Sequence, residues 1–399
     1  MSRNEHLQSS ASKQHRGSGA LRLKFSPNYD DQDWSRFLPL SERAVDLDRV
    51  QEIVAGKRIL ITGAGGYIGS ALARPLAPLK KSDLILLDHS ESGLHQLGCD
   101  LASRGISGHL HLVVGSVSDP VFLNGVFEQY RPQIVFHAAA CKHVPLMEFN
   151  PFTCVSTNVI GTGLVAQAAS ASNAEQCLLL STDKAVDPAS IMGATKRLAE
   201  LLLLAEGGGP TRWKALRLGN VLGSTGSVVP LFLDQIERGG PVTVTHPEAT
   251  RYFLSVDSAV HHLLSTLITS PDTASALFVP DLGPPHRIQD LARFLINGSS
   301  RSTPIPITFT GLRPGDKLTE QMVSTRESIA SAPVEGLYRV HTPGLPQADL
   351  THVLHQLQSA LADRNLGHLL ETLQLALPEY HPGPLLQHQA GAQPKVQAT

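Results

Sequence analysis

Arg58-Ile59-Leu60-Ile61-Thr62-Gly63-Ala64-Gly65-Gly66-Tyr67-Ile68-Gly69 decides how the rest of this chain is read. A β-favouring apolar run enters a glycine cluster and an apolar-periodic segment follows, which predicts a buried strand, a tight turn and a helix start. The spacing of Gly63, Gly66 and Gly69 suits a phosphate seat. The first glycine can take turn dihedrals, the second lets a pyrophosphate approach bare backbone, and the third lets helix pack on strand. Tyr67 and Ile68 open the helix, whose unpaired amides would supply the anion affinity. Leu84-Ile85-Leu86-Leu87 reads as a second strand. Asp88 closes it about 20 residues after the glycines, where a carboxylate takes the ribose hydroxyls of a dinucleotide. Its charge would repel a 2′-phosphate, which favours NAD over NADP.

The same rhythm continues downstream. Leu110–Val114, Ile134–Phe136, Cys177–Leu180 and Ala215–Leu218 are further apolar runs, each ending in small or polar residues. Strands alternating with helical segments imply right-handed crossovers, a parallel sheet and ligands at the carboxyl ends of the strands. The expected fold is therefore α/β, a Rossmann-type doubly wound parallel sheet with a smaller C-terminal substrate-binding lobe. Ala138, Ala139 and Ala140, at the end of the fourth strand, would let a cofactor pass close to the backbone.

The expected organisation is a disordered leader over 1–45, where polar residues dominate, and a NAD-binding domain over 46–225. A substrate lobe with C-terminal helices follows over 226–382, the chain crossing between lobes, and then a polar, Gln-rich tail without packing signal over 383–399. A short amphipathic helix is expected over Asp46–Ala55, and an early end to the first Rossmann helix at Pro75 or Pro78. Helical periodicity runs from Leu350 to Leu375.

With 399 residues the chain can bury a large core. A charged fraction of 17% and a formal net charge of −2 give no electrostatic case for nucleic acid or a membrane surface. Any anionic ligand must be held by local groups. The longest leucine-rich run, Leu198 to Ala205, is too short to span a bilayer and contains Glu200. The chain is accordingly expected to be cytoplasmic, and Cys99, Cys141, Cys154 and Cys177 to be buried free thiols, since they show no CxxC pair. The 18 histidines form no metal-ligand pattern, so no metal is expected.

The fifth strand ends in Thr182, Asp183 and Lys184, which place hydroxyl, carboxylate and amine on consecutive residues. Met192 and Lys196 follow one helical turn apart and share a face. A lysine there can hydrogen-bond a nicotinamide ribose and, as a fixed charge, lower the pKa of a neighbouring acid.

At these residues the chain resembles the extended short-chain dehydrogenase/reductases, specifically the CapD-type polysaccharide-biosynthesis family of nucleotide-sugar 4,6-dehydratases. The matching segments include TGAGGYIGS at 62–70, HAAACKHVPLMEFNP at 137–151, STDKAVDP at 181–188, MGATKR at 192–197, RLGNVLGSTGSVVPLF at 217–232 and GLRPGDKL at 311–318. The VDLD lead-in at 45–48 is similar to the linker that follows a membrane-bound region in longer members.

The resemblance implies NAD as cofactor, a UDP-sugar such as UDP-GlcNAc as substrate, and a 4-keto-6-deoxy sugar nucleotide as product for glycan biosynthesis. Hydride leaves C4 of the sugar, a base takes the C5 proton, an acid protonates the departing C6 hydroxyl, and hydride returns to C6. Thr182 would bond the C4 oxygen, Asp183 would serve as the acid and Lys184 as the base. Met192 stands where most short-chain dehydrogenases carry a tyrosine, and a thioether accepts no proton in that way, so the base for C4 oxidation stays open between Asp183 and Lys184. Carried over by motif are Ser116 and Val117 at the adenine, Asn158 beside the nicotinamide, Lys142 and His143 near the sugar, Asn220 and Arg251 toward the UDP, and Arg313 on the pyrophosphate. Arginine suits that last place because its planar fork contacts phosphate oxygens in pairs.

This chain departs from the family at Ser116 for aspartate, Tyr67 for serine, Cys141 for an aromatic residue and Asp316 for glutamate. The resemblance also implies a homo-oligomer paired through the helices around 153–170 and 192–205. Two other readings stand beside the dehydratase: a nucleotide-sugar 4-epimerase, and a non-catalytic NAD-binding scaffold.

Overall fold

A computed structural model describes residues 34–38, 45–79, 82–106, 108–206, 209–269, 275–299 and 303–392. Helix α1 (Leu47–Val54) starts at Asp46, whose carboxylate accepts from Arg49 N, and it turns Val50 and Val54 into the core. Strand β1 (Arg58–Thr62) then enters the glycine turn and helix α2 (Tyr67–Leu76). Pro75 lies in the last turn of α2, which ends one residue later, as expected of a residue without an amide proton.

The alternation continues through β2 (Asp83–Asp88), α3 (Glu91–Ser103), β3 (Leu110–Val114), α4 (Pro120–Tyr130) and β4 (Ile134–His137). After α5 (Val144–Glu148), one bent rod is built from α6 (Pro151–Val155), a π-type turn over Ser156–Ile160, and α7 (Gly161–Ala171). Then come β5 (Gln176–Thr182), α8 (Ile191–Ala205), β6 (Arg212–Leu218), α9 (Val228–Glu237), α10 (Val256–Leu267), β7 (Ser275–Pro280) and α11 (Ile288–Gly298). Strands β8 (Ser328–Ser331) and β9 (Leu337–His341) precede helices α12 (Gln347–Ala362), α13 (Leu366–Ala376) and α14 (Pro384–Ala392).

These nine strands form one sheet in the order β8-β9-β7-β6-β5-β4-β1-β2-β3. The pairs from β7 to β3 are all parallel, and only β9 runs against its neighbours. The order reverses between β1 and β4, which places the ligand crevice at the carboxyl ends of those two strands. Helices α2, α3 and α10 cover one face of the sheet, and α4, α7 and α8 cover the other.

Because β7, β8 and β9 rejoin the main sheet, the chain beyond residue 225 is not one separate body. A smaller core of its own holds Leu222, Val229, Phe232, Val242, Phe253, Leu291 and Leu295. Part of the expected leader packs on it. Leu38 is buried there, and the Trp34 and Phe37 rings lie 5.9 and 5.4 Å from that of Phe294. The rest of the leader, apart from Val45, lies outside the described residues.

Two further expectations are corrected. The stretch after Pro382 is not an unpacked tail as far as Ala392, because α14 buries Leu386 completely. Glutamine is a good helix former, so one leucine on the packed side is enough to dock this polar segment. The helices expected to pair two copies are covered by their own chain. Leu350, Val353 and Leu357 of α12 and Leu366, Leu369, Leu370 and Leu373 of α13 share a core with Val155, Val159, Leu198, Leu201 and Leu202. An antiparallel helical pair thus takes the surface that a partner was expected to fill.

Candidate active site

Gly63 has φ +71°, and a Cβ on it would fall 2.6 Å from Ala139 N. A Cβ on Gly69 would fall 2.1 Å from Gly63 O. Only glycine lets the turn close on β4 and on its own helix. Helix α2 begins at Gly66 without any side-chain cap, an arrangement that suits an anion at a helix N-terminus. Asp88, buried at the end of β2, accepts from Gly65 N at 2.9 Å and Ser90 N at 2.8 Å. It ties the glycine turn to the second strand. Ile68 packs on the α2 core. Tyr67 reaches farther, its hydroxyl donating to the Leu222 carbonyl at 3.1 Å.

Ser116 is exposed just past β3, its hydroxyl accepting from Ser118 N, and Val117 is buried beside Gly161. Ala138 and Ala139 leave β4 against Gly63, and Ala140 follows them. His137, fully buried, lies 2.7 Å from the Thr62 hydroxyl and 3.0 Å from that of Thr162. Thr162 spends its own proton on Asn158 O. We therefore assign the His137 proton to Nε2, with Nδ1 accepting from Thr62. Burial, then the Lys196 charge, push this imidazole down to about 3, so it stays neutral. Asn158 is buried too, and its amide clamps Cys141 N and O and bonds Thr195 Oγ1. Its side chain fastens the segment before Lys142 to α8.

At the end of β5, Asp183 is wholly covered. Its Oδ1 accepts from Thr182 Oγ1 at 2.8 Å and from Lys184 Nζ at 2.9 Å, while Oδ2 makes no hydrogen bond. Lys184 Nζ also donates to Asn220 Oδ1 at 2.8 Å. Lys184 keeps 19% of its side chain exposed. Asp183 therefore meets the site through a hydroxyl and an amine rather than directly. Helix α8 sits against this turn because Gly193 has no Cβ to strike Lys184 O. The helix start is held twice, by Ser190 Oγ accepting from Gly193 N and by Glu148 Oε1 accepting from Ile191 N. Met192 is buried, and Lys196 Nζ donates to Leu180 O at 2.6 Å. Burial pulls Lys196 down to about 8, against the opposing charge of Glu200.

The substrate-side residues fall into two groups. Lys142 Nζ donates to Thr225 O, and burial lowers its pKa. His143 opens α5 and faces Gly226; burial and then the Lys142 charge lower its pKa. Arg313 is 57% exposed and forks onto both carboxylate oxygens of Asp316, the nearer at 2.8 Å. Arg251 is different, being buried and donating to Thr250 O, Lys317 O and Leu318 O. Its fork is spent on backbone, so it fixes the loop that carries Arg313.

The model of the family described as "Polysaccharide biosynthesis protein" matches residues 59–342. The chain belongs to the CapD-type polysaccharide-biosynthesis family. It is 40% identical over 300 residues to the capsular polysaccharide biosynthesis protein CapD of Staphylococcus aureus, covering 74% of this chain and 50% of that one. The chain spans about half the length of the first curated relatives that it matches. A UDP-N-acetylglucosamine 4,6-dehydratase (inverting) of Campylobacter jejuni is 33% identical over 299 residues, covering 74% and 85% of the two chains. A UDP-glucose 4-epimerase of Rickettsia akari is also 33% identical, over 72% and 84%. Among solved structures, Pen from Bacillus thuringiensis matches with TM-score 0.66 and 26% identity over 73% of this chain and 91% of that one.

In this CapD-type site, sequence reasoning missed Glu320. It is 5% exposed, with Oε1 at 4.0 Å from Lys184 Nζ and 3.8 Å from Arg251 Nε, and Oε2 at 3.8 Å from Lys317 Nζ. The only signal was its place two residues past the GLRPGDKL segment. Cys99 was expected to be buried and is exposed, because it lies on the outward face of α3. Among the described residues no helix is long and apolar enough to cross a membrane, and no His, Cys, Asp and Glu cluster could hold a metal.

Proposed function

We propose that the chain is a NAD-dependent nucleotide-sugar 4,6-dehydratase acting on a UDP-N-acetylhexosamine, UDP-GlcNAc first among them. The observation that carries this reading is the hydrogen-bonded run at the end of β5, where Thr182, Asp183, Lys184 and Asn220 join a hydroxyl, a carboxylate, an amine and an amide. An epimerase has no use for a group that takes the C5 proton; a dehydratase needs one.

The glycine cradle, the uncapped start of α2 and the Asp88 carboxylate fit NAD. When bound, NAD supplies a reversible hydride acceptor. Thr182 would orient the sugar C4 hydroxyl and pass its proton to Asp183 as hydride leaves C4, and Lys184 would remove the C5 proton. Asp183 would hold the amine in place and return a proton toward the departing C6 hydroxyl through Lys184 or Thr182. Arg313 would take the UDP pyrophosphate, and Lys142 and His143 would line the sugar. A cytoplasmic setting belongs to the same proposal, since the reaction draws on NAD and UDP-sugars.

Incubation with NAD and UDP-GlcNAc, followed by mass spectrometry, tests it. Loss of one water is the expected result. An isomer of unchanged mass would favour the 4-epimerase, and nucleotide binding without turnover on a panel of UDP-sugars would favour the scaffold.

A further inference from the structure

The hydrogen bond from Tyr67 to Leu222 joins the start of α2 to the segment that follows β6. Tyr67 opens helix α2 directly after the glycine turn of β1, and Leu222 lies just past β6. In the sheet, β4 and β5 stand between those strands. Three lateral steps of roughly 4.8 Å make about 14 Å. One hydrogen bond therefore links the segments that follow the first and the last of these four strands. Ala138 to Ala140 and Thr182 sit at the carboxyl ends of β4 and β5.

The Tyr67 ring packs on the apolar cluster around α2 and α10, so the hydroxyl is carried on a braced arm. Its acceptor is a backbone carbonyl, fixed by the strand pair that joins Asn220–Val221 to Phe253–Leu254. A dinucleotide reaching from Asp88 on β2 to the end of β5 would lie along this edge, its pyrophosphate at the start of α2.

We propose that Tyr67 is a latch that retains NAD between turnovers. This inference rests on the NAD reading above and fits a cycle in which the cofactor ends in the state in which it began.

The test uses the full chain loaded with isotope-labelled NAD, passed through gel filtration and chased with unlabelled NAD, without any UDP-sugar. Tyr67→Phe removes the donor and keeps the ring, and it should release the label about 2- to 10-fold faster than the unmodified protein, the range for one neutral hydrogen bond. Tyr67→Ser, which also removes the brace, should release it faster still. Release from Tyr67→Phe within twofold of the unmodified protein overturns the latch whatever Tyr67→Ser does, as does loss of the label from the unmodified protein during filtration. Because no sugar is present, failure of the dehydratase reading would leave this result untouched.

Discussion

Arg217 Nε and Nη2 donate to the two carboxylate oxygens of Glu200, each at 2.9 Å, and both side chains are fully buried. Glu200 also accepts from Ser181 Oγ and Arg197 Nη1, and Arg217 continues to Glu327 at 2.7 and 2.8 Å. Burial opposes the charge on Glu200, but Arg217 and Arg197 outweigh it and hold the carboxyl below its usual range. The pair joins α8 to β6, and Ser181 ties it to the end of β5, two residues before Asp183.

Arg217→Leu should therefore destabilise the protein by about 3–5 kcal/mol, because it takes the paired guanidinium from two buried carboxylates and leaves Arg197 as their nearest cation. Chemical denaturation with a two-state fit measures this. A loss below about 1 kcal/mol would mean that the network contributes little beyond shape.

Lys196 gives a pH dependence whose sign can be worked out. Its ammonium is the form that donates to Leu180 O and would bond a ribose hydroxyl. Folded, it titrates at about 8; unfolded, near the ordinary lysine value. Turnover should fall as pH rises through about 8. Over the interval from about 8 to 10.4 the unfolded chain binds the extra proton, so this group's contribution makes stability rise with pH. Opposite slopes for activity and for unfolding free energy are the expected signature, and Lys196→Met should abolish the second.

Lys184 and Asp183 separate chemistry from binding. Lys184→Ala should lower kcat by about 10²–10⁴-fold, the usual worth of a positioned acid or base, with NAD affinity nearly unchanged. Asp183→Asn keeps the shape and removes the charge that pairs with Lys184 at 2.9 Å, and it should lower kcat with little effect on KM. Steady-state kinetics on the dehydrated product check both, and undiminished turnover in Lys184→Ala would remove the proposed chemistry.

The amino-acid sequence by itself determined the local physics. The apolar runs that became β1 to β6, the glycines that fit only a closed turn, and Asp88 at the end of β2 could all be read in order, since strand burial and turn dihedrals depend on neighbours in the chain. Thr182, Asp183 and Lys184 were legible for the same reason, being adjacent.

What only the tertiary structure decided are contacts between distant residues of ordinary local type. Glu320 lies 136 positions beyond Lys184, and Tyr67 lies 155 before Leu222. Arg251 reads like a phosphate ligand until the carbonyls of Lys317 and Leu318 are seen to occupy its guanidinium. The leucines of α12 and α13 announce an apolar face, but periodicity cannot say whether that face meets a second copy or, as here, α8 of the same chain. Burial is a property of the assembled surface, and no spacing within one segment carries it.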